Sequence, residues 1–397
     1  MRDVLVAGTG MTRFGKYPHL SLKDLSAQAA VEALKDANVS PSEVEMIFFA
    51  NAAAGLITGQ EMIRGQVALR EMSFDGIPII NVENACASGS SAFYLASTAI
   101  AAGQCDLALA LGAEKLVHPD KGRTFEAIAS AIDLERRADL AAFVPAAGEN
   151  QLTSRSLFMD IYARLSVDYM ARTGATDADF ARVAVKNHRH GSLNGKAQYG
   201  QELTVDQVLA SRTISGPLTL LMCSPIGDGA AAVLLCSADR ARRLGIPPVR
   251  VRGVALVSGS DDGESAPTRA VRRAYDQAGV GPDDLDVVEL HDATAPAELI
   301  LYEELGLCRP TEGAALLASG ATELGGRLPV NVSGGLLSKG HPVGATGCAQ
   351  VVELADQLRE RAGKRQVPGA RIGLAENAGG FLGPDQAVAA ISILVAG

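Results

Sequence analysis

Residues 33–51 (ALKDANVSPSEVEMIFFAN) and 274–292 (AYDQAGVGPDDLDVVELHD) are two copies of one pattern, 241 positions apart (274 − 33). Ala33, Ala37, Val39, Pro41, Val44 and Ile47 recur as Ala274, Ala278, Val280, Pro282, Leu285 and Val288. Each copy reads as a helix end, a proline turn and a buried strand. Weaker echoes keep step: Asn81-Val82 with Asn331-Val332, and the strand after Asp106 with the strand from Arg371. A chain that repeats one α/β unit can pack two sheets against shared helices, which predicts a five-layered α-β-α-β-α body. It also predicts that the corresponding loops of the two copies meet at one cleft.

The copies differ in what interrupts them. From Val117 to Leu209 the strand-like runs stop, charges and aromatics rise, and helices are predicted at 157–173 and 177–190. This is an insertion in the first copy. The division that follows is 1–116 plus 210–245 for the first half, 117–209 for a mostly helical insertion, and 246–397 for the second half. Phe158, Met159, Tyr162 and Met170 of the insertion are candidates for a substrate pocket, with plain core packing as the competing reading. Asn187, His188, His190, Asn194 and Gln198 need no function, since solvated helix ends account for them.

Bulk properties remove several function classes. Net charge is −9 (36 − 45) with no dominant basic patch, so nucleic acid is excluded as a partner, while a local basic site for phosphates stays open. The six cysteines form no Cys-x-x-Cys pair, so neither a zinc site nor any other metal centre is predicted, and free thiols of a reducing compartment fit best. No apolar run reaches the ~18 residues of a membrane span. No signal-peptide pattern follows Met1, and the ending ILVAG is not Ser-Lys-Leu, so the cytoplasm is the expected location. Gly8 and Gly10 invite a dinucleotide fingerprint, but its third glycine position holds Arg13.

Four small-residue loops each follow a strand-like run: 81–92, 291–294, 338–347 and 376–383. In the first, NVENACASGSSA leads straight into an alanine-rich helical run, with Cys86 at the junction. Free backbone N–H groups and the positive end of a helix dipole meet at such a place. That favours thiolate over thiol, and the thiolate is the nucleophile. The competing reading is a small buried hydrophobe, the commoner state of a free cysteine.

NVENACASGSSA, KNHRHGS (186–192), the Pro-x-x-Asp-Gly-Ala-Ala-Ala of 225–232, HDATAPAELILYEELGL and NVSGGLLSKGHPVGATG lie in order along the chain. Together with the duplication they resemble the thiolase superfamily over essentially the whole chain, and the sterol-carrier-protein type most of all. The resemblance implies that Cys86 accepts the acyl group and that His341, in Gly-His-Pro, draws off its proton. It implies one oxyanion hole from His291 and His341 for the thioester oxygen of the second acyl group. A second hole, from the backbone N–H groups of Cys86 and Gly379, would hold the acyl-enzyme carbonyl. Asp292 would orient its loop or cap a helix. The family further implies coenzyme A as a substrate with no cofactor held permanently, acyl-CoA partners, and a homodimer or homotetramer. Some relatives work with a small zinc-ribbon/OB-fold companion protein.

Two departures stand against the family pattern. Sterol-carrier-type thiolases carry a second acid/base cysteine where this chain has Ala293, and other thiolases carry it where this chain has Asn377. His291 is then the first substitute for moving the proton at the reacting carbon, and Glu376 the second. Cys348 and Cys308 read as packed residues. The expected activity is thiolytic cleavage of a 3-oxoacyl-CoA, or the reverse Claisen condensation, through acyl-Cys86. The alternatives are a C–C lyase or C-acyltransferase working with the companion protein, and a non-catalytic acyl-CoA-binding scaffold subunit.

Overall fold

The structure is a computed structural model and describes residues 2–136, 156–383 and 385–397. The part of the predicted insertion at 137–155 lies outside the described residues. Eleven strands are present among them: β1 (Val4–Met11), β2 (Met46–Ala50), β3 (Ile79–Val82), β4 (Leu107–Glu114), β5 (Thr213–Ser215), β6 (Leu218–Thr219), β7 (Gly229–Ser237), β8 (Val249–Ser258), β9 (Val287–Glu289), β10 (Ile372–Leu382) and β11 (Asp385–Ala396). β5 and β6 form a separate small hairpin.

The other nine strands run in the order β3-β2-β4-β7-β1-β8-β11-β10-β9. The seam between halves is β1 against β8, whose only register pair is Leu5 with Arg250. Read outward from that seam, the two sides repeat each other. β1, β7, β4, β2 and β3 on one side correspond to β8, β11, β10, β9 and a parallel bridge from Val288 to Val330 on the other. The edge position of the second half is thus filled by the segment that echoes Asn81-Val82. In each half the outer pairings are parallel (β2 with β3 and β4; β9 with β10) and those nearer the seam antiparallel.

Three apolar cores separate the layers. One lies between the outer helix Leu22–Ala37 and one face of β1, β2, β4 and β7. Another lies between the outer helices Ala266–Ala278 and Ala295–Glu304 and one face of β8–β11. The middle core joins the remaining faces of both halves to two central helices, Ser88–Ala101 and Thr346–Leu358. β2 and β7 are buried on both faces, which is why MIFFA and AAAVLLC read as continuous apolar runs.

Ser21 caps the first outer helix through a capping box with Asp24, as its Ser-x-x-Asp spacing predicts. Gly8 and Gly10, the pair that mimics a nucleotide fingerprint, let that helix sit directly on β1. A Cβ at Gly8 would lie 2.3 Å from the Ala33 carbonyl oxygen, and one at Gly10 would lie 2.2 Å from that of Ala29. The central helices cross as closely at Gly89 and Gly347. A Cβ on Gly89 would stand 2.9 Å from the Cys348 nitrogen, and one on Gly347 2.4 Å from the Ser90 nitrogen.

The predicted helices appear as Leu157–Thr173 and Asp177–Ser192. The polar residues of the second are not at solvated ends, contrary to expectation: Asn187, His188, His190 and Asn194 are all buried. Asn187 donates to Asp292 and Glu298 at 2.8 and 2.7 Å, Lys186 pairs with Glu298 at 2.8 Å, and His190 hydrogen-bonds the Asn331 carbonyl at 3.1 Å. Buried polar groups require partners. His188 meets the Gln201 carbonyl at 3.3 Å, and the other partners named here belong to the second half, so this helix fastens the insertion to the loops that carry His291 and His341. No helix among the described residues is long and apolar enough to cross a membrane.

Candidate active site

Each central helix begins with the same local design. A single 3-10 turn precedes it, Ala85–Ala87 before Ser88–Ala101 and Val343–Ala345 before Thr346–Leu358. Cys86 lies inside the first turn, after Ala85 in left-handed backbone at φ 47°. Such a conformation is disfavoured for a residue with a Cβ and accumulates at functional sites. His341 stands just ahead of the second turn, and His291 follows β9.

These three side chains converge. The sulfur of Cys86 and ring nitrogens of His291 and His341 all lie within 4.8 Å of one another. The two imidazoles meet edge to face with centroids 5.1 Å apart. One sulfur and two nitrogens are also donors of the kind a thiophilic cation takes. No other such cluster occurs among the described residues.

His341 is held by Thr346, whose hydroxyl lies 2.7 Å from Nδ1 and 3.1 Å from the Pro342 carbonyl oxygen. The hydroxyl donates its one proton to that carbonyl and accepts from Nδ1–H. This assigns the proton to Nδ1 and leaves the Nε2 lone pair free as a base. Burial and the neighbouring His291 and Lys339 hold His341 well below the usual imidazole range, so it is neutral at rest.

Cys86 departs from expectation. Burial pushes its thiol up to about 12, and Glu114 adds to the shift. The opposing hydrogen bonds to the sulfur, from the backbone N–H groups of Gly380 and of Cys86 itself, are weaker than the loss of water. The helix N-terminus therefore does not make a resting thiolate; desolvation wins. Gly379 lines the cavity as expected, but the neighbouring Gly380 is the one whose N–H reaches the sulfur. Glu114 itself is raised to about 7 by burial. Its carboxylate accepts from Asn51 Nδ2 (2.8 Å) and from the backbone N–H groups of Ala52, Ala53 and Gly344 (3.0–3.1 Å), tying the Cys86 side of the cavity to the His341 loop.

Among the described residues His291 has no hydrogen-bond partner for either ring nitrogen, although the residue is only 4% exposed. Burial lowers its pKa to about 4, so it does not titrate near neutrality and is poorly suited as a proton carrier there. A neutral ring with a free N–H is suited to donating a hydrogen bond to an oxyanion. Its backbone N–H donates to Glu376 at 2.9 Å. Glu376 is fully buried, raised to about 8 by desolvation, and does not line the cavity. Asn377 is buried, and neither of its amide atoms has a partner among the described residues.

Asp292 accepts the backbone N–H groups of Leu336 (2.6 Å) and Leu337 (3.4 Å). It therefore caps the short helix Gly335–Lys339 rather than the helix that follows it in sequence. This orients the loop on which His341 stands. Cys348 is buried against the carbonyls of Gly89 and Ala110, and Cys308 lies away from the site.

The trio opens into a cavity of about 1080 Å³. Phe158, Met159, Tyr162 and Phe381 form its apolar wall, and Met170 lies outside it. Lys16, Lys121 and Arg212 stand on its rim, exposed and without ion pairs among the described residues. Thr346, Gly380 and Glu114 escaped the sequence reading. Only Thr346 left a signal there, as the polar member of the GATG run.

Residues 4–239 match the family model described as "Thiolase, N-terminal domain", and residues 252–392 match "Thiolase C-terminal domain-like". The chain belongs to the thiolase family. It is 39% identical to the "Acetyl-CoA acetyltransferase" of Methanothermobacter thermautotrophicus, over 96% of this chain and 97% of that protein. It is 36% identical to the "Benzoylsuccinyl-CoA thiolase subunit BbsB" of Thauera aromatica, covering 96% and 95%. It is also 36% identical to "Sterol carrier protein 2" of Homo sapiens, covering 96% of this chain and 70% of that one. Among solved structures, the "Ltp2-ChsH2(DUF35) aldolase" superposes with a TM-score of 0.81 at 25% identity, covering 99% of this chain and 98% of that one. The family and these relatives make the chain an acyltransferase of thiolase type.

Proposed function

We propose that the enzyme cleaves a 3-oxoacyl-CoA with coenzyme A, or runs the reverse condensation, through an acyl group carried on Cys86. The carrying observation is the convergence of Cys86, His291 and His341 within 4.8 Å on a cavity of about 1080 Å³. The Nε2 lone pair of His341 takes the thiol proton as sulfur attacks the 3-keto carbon, so a thiolate exists only when substrate is in place. His291 and His341 then donate to the thioester oxygen, and the N–H groups of Cys86 and Gly379 to the acyl carbonyl. Lys16, Lys121 and Arg212 on the rim suit the phosphates of coenzyme A, and the aromatic wall suits an apolar acyl group. Coenzyme A is consumed and released, with no cofactor held between turnovers.

The test is mass spectrometry of the intact protein after incubation with a panel of acyl-CoAs. The expected result is one acyl adduct, mapped to Cys86 and absent from Cys86→Ala. An adduct elsewhere, or none with any member of the panel, overturns the reading.

A second reading is C–C bond cleavage without thiolysis, in concert with a small companion protein. The likeness to the aldolase complex and the absence of a cysteine at 293 and 377 favour it. Release of a free aldehyde or ketone without coenzyme A dependence distinguishes it. β3, the free edge of the sheet that leads to Cys86, is the surface we assign to a homodimer or homotetramer in the cytoplasm. A monomer by light scattering at micromolar concentration refutes that assembly.

A further inference from the structure

A thiolase reaction moves two protons. One belongs to the nucleophile and is served by His341. The other belongs to Cα of the acyl-CoA that leaves when the bond is cut. The groups expected to carry it fail: positions 293 and 377 hold alanine and asparagine, His291 stays neutral, and Glu376 is walled off behind the cavity.

Tyr162 is differently placed. It is the sixth residue of the helix Leu157–Thr173 and lines the cavity together with Cys86, His291, Ala293 and His341. It belongs to the same apolar cluster as Ala293, Leu336 and Phe381, so it packs in the region of the position where relatives carry the second cysteine. Its ring stands edge-on to Phe381 at 5.6 Å, and Phe381 is itself packed by Phe158 at 5.7 Å, so one aromatic contact orients the Tyr162 ring and a second braces its partner. The residue is 5% exposed, yet its hydroxyl makes no hydrogen bond to any described residue. A buried phenol ordinarily finds a partner. Here the hydroxyl has only the cavity to turn to. Its surroundings are also electrostatically connected to the site: negative charge on Cys86, Glu376 or Asp292 raises its pKa further, so it remains a proton donor at all physiological pH.

We propose that Tyr162 is the second proton-handling group, delivering a proton to Cα in place of the missing cysteine. This rests on the acyltransferase reading above. In the cleavage direction the Cys86 sulfur bonds to C3 and its proton goes to His341. The C2–C3 bond breaks, its electron pair stays on C2, and the Tyr162 hydroxyl proton goes to C2. The thiol of the incoming coenzyme A then returns a proton to the Tyr162 phenolate as its sulfur takes the acyl group from Cys86. The departing Cys86 thiolate recovers its proton from His341. The sum is one 3-oxoacyl-CoA and one coenzyme A converted to two acyl-CoAs, and condensation is the same sequence reversed.

The experiment compares wild type with Tyr162→Phe in two assays. The first is exchange of labelled coenzyme A into acetyl-CoA, hexanoyl-CoA and succinyl-CoA, in which no C–C bond breaks, so Tyr162 keeps its proton and His341 passes the thiol proton between Cys86 and coenzyme A. The second is incorporation of solvent deuterium at Cα of the same three compounds. Tyr162→Phe should keep the first within about threefold and lose the second by about 100-fold or more. Adding Ala293→Cys to Tyr162→Phe should restore about a tenth of the lost deuterium incorporation, since a thiol would again face the carbon. Deuterium incorporation by Tyr162→Phe within threefold of wild type overturns the proposal. So does a wild type that exchanges coenzyme A but no Cα hydrogen, or a parallel loss in both assays. A wild type in which Cys86 takes no acyl group would instead reject the acyltransferase reading itself.

Discussion

The Cys86 loop and the His341 loop occupy equivalent places in the two halves, each entering a central helix through one 3-10 turn. They use that shared geometry for opposite ends. The first loop presents its reactive atom through the backbone: Cys86 sits in the turn, after a left-handed Ala85, with N–H groups of its own and of Gly380 around the sulfur. The second presents its reactive atom through a side chain, with His341 outside the turn and steered by the Thr346 hydroxyl at 2.7 Å. The difference follows from the reach of each group. A cysteine sulfur is one bond beyond Cβ, so the main chain must aim it. An imidazole is longer, and a hydrogen bond to Nδ1, the nitrogen nearer the backbone, must fix it so that Nε2 is aimed. Duplication supplied two identical mounts, and the chemistry came from what was placed on each.

The comparison is broken most severely by removing the nucleophile. Cys86→Ala should lower turnover by about 10⁴-fold or more, with no acyl adduct in intact-protein mass spectra. Unchanged turnover would remove Cys86 from the mechanism.

The claim that Cys86 rests as a thiol is sharpened by its pH dependence. With its pKa pushed up to about 12 and His341 depressed, the thiolate fraction climbs about tenfold per pH unit below that value. Iodoacetamide labelling of the Cys86 peptide, followed by mass spectrometry, should therefore accelerate by about 10³-fold between pH 7 and 10. A plateau by pH 7 would instead reveal a resting thiolate–imidazolium pair.

Thr346→Ala should cost about tenfold in acylation rate, the size of one buried hydrogen bond. Thr346→Ser should recover most of it, because the hydroxyl rather than the methyl positions the ring. Equal loss in both variants would make Thr346 a packing residue.

The smallest effect concerns the carboxylate behind His291. Glu376 has its folded pKa raised to about 8, above the unfolded value, so the folded state binds the extra proton. The resulting stabilisation is full below about pH 4.5 and is lost as pH rises through 8. Glu376→Gln should leave the melting temperature unchanged at pH 5 and raise it by about 2–4 °C relative to wild type at pH 9. A variant that tracks wild type at every pH would place the titration elsewhere, Glu114 being the next group raised in the same sense.

The duplication, both outer helices and the converging loops were legible because they are written locally. Helical spacing, the Ser21 capping box and apolar strand runs need no tertiary information. The charge state of Cys86 was not legible. A helix N-terminus is visible in sequence, but the competing desolvation depends on walls contributed by β10 and the insertion, far away in the chain. The same holds for Asn187 and His190, whose polar character reads as exposure until the second half covers them. The tyrosine opposite Ala293 was visible only as one apolar-spaced aromatic among several. What singles it out is a hydroxyl that lines the cavity and makes no hydrogen bond to any described residue.

The crossing of the two central helices at Gly89 and Gly347 has a consequence for how the protein comes into being. The nucleophile is synthesised 255 residues before its base (341 − 86). A nascent first half can fold as a unit while the ribosome is still building the second, as domains commonly do. During that interval Cys86 lacks His341 and the part of the wall that β10 and the His341 loop contribute, so water reaches its sulfur. Chemical competence arrives in one step, when the second helix docks against a contact with no room for a methyl group on either side. Docking and arming are therefore the same event, and a prematurely terminated chain carries the nucleophile with nothing to fire it.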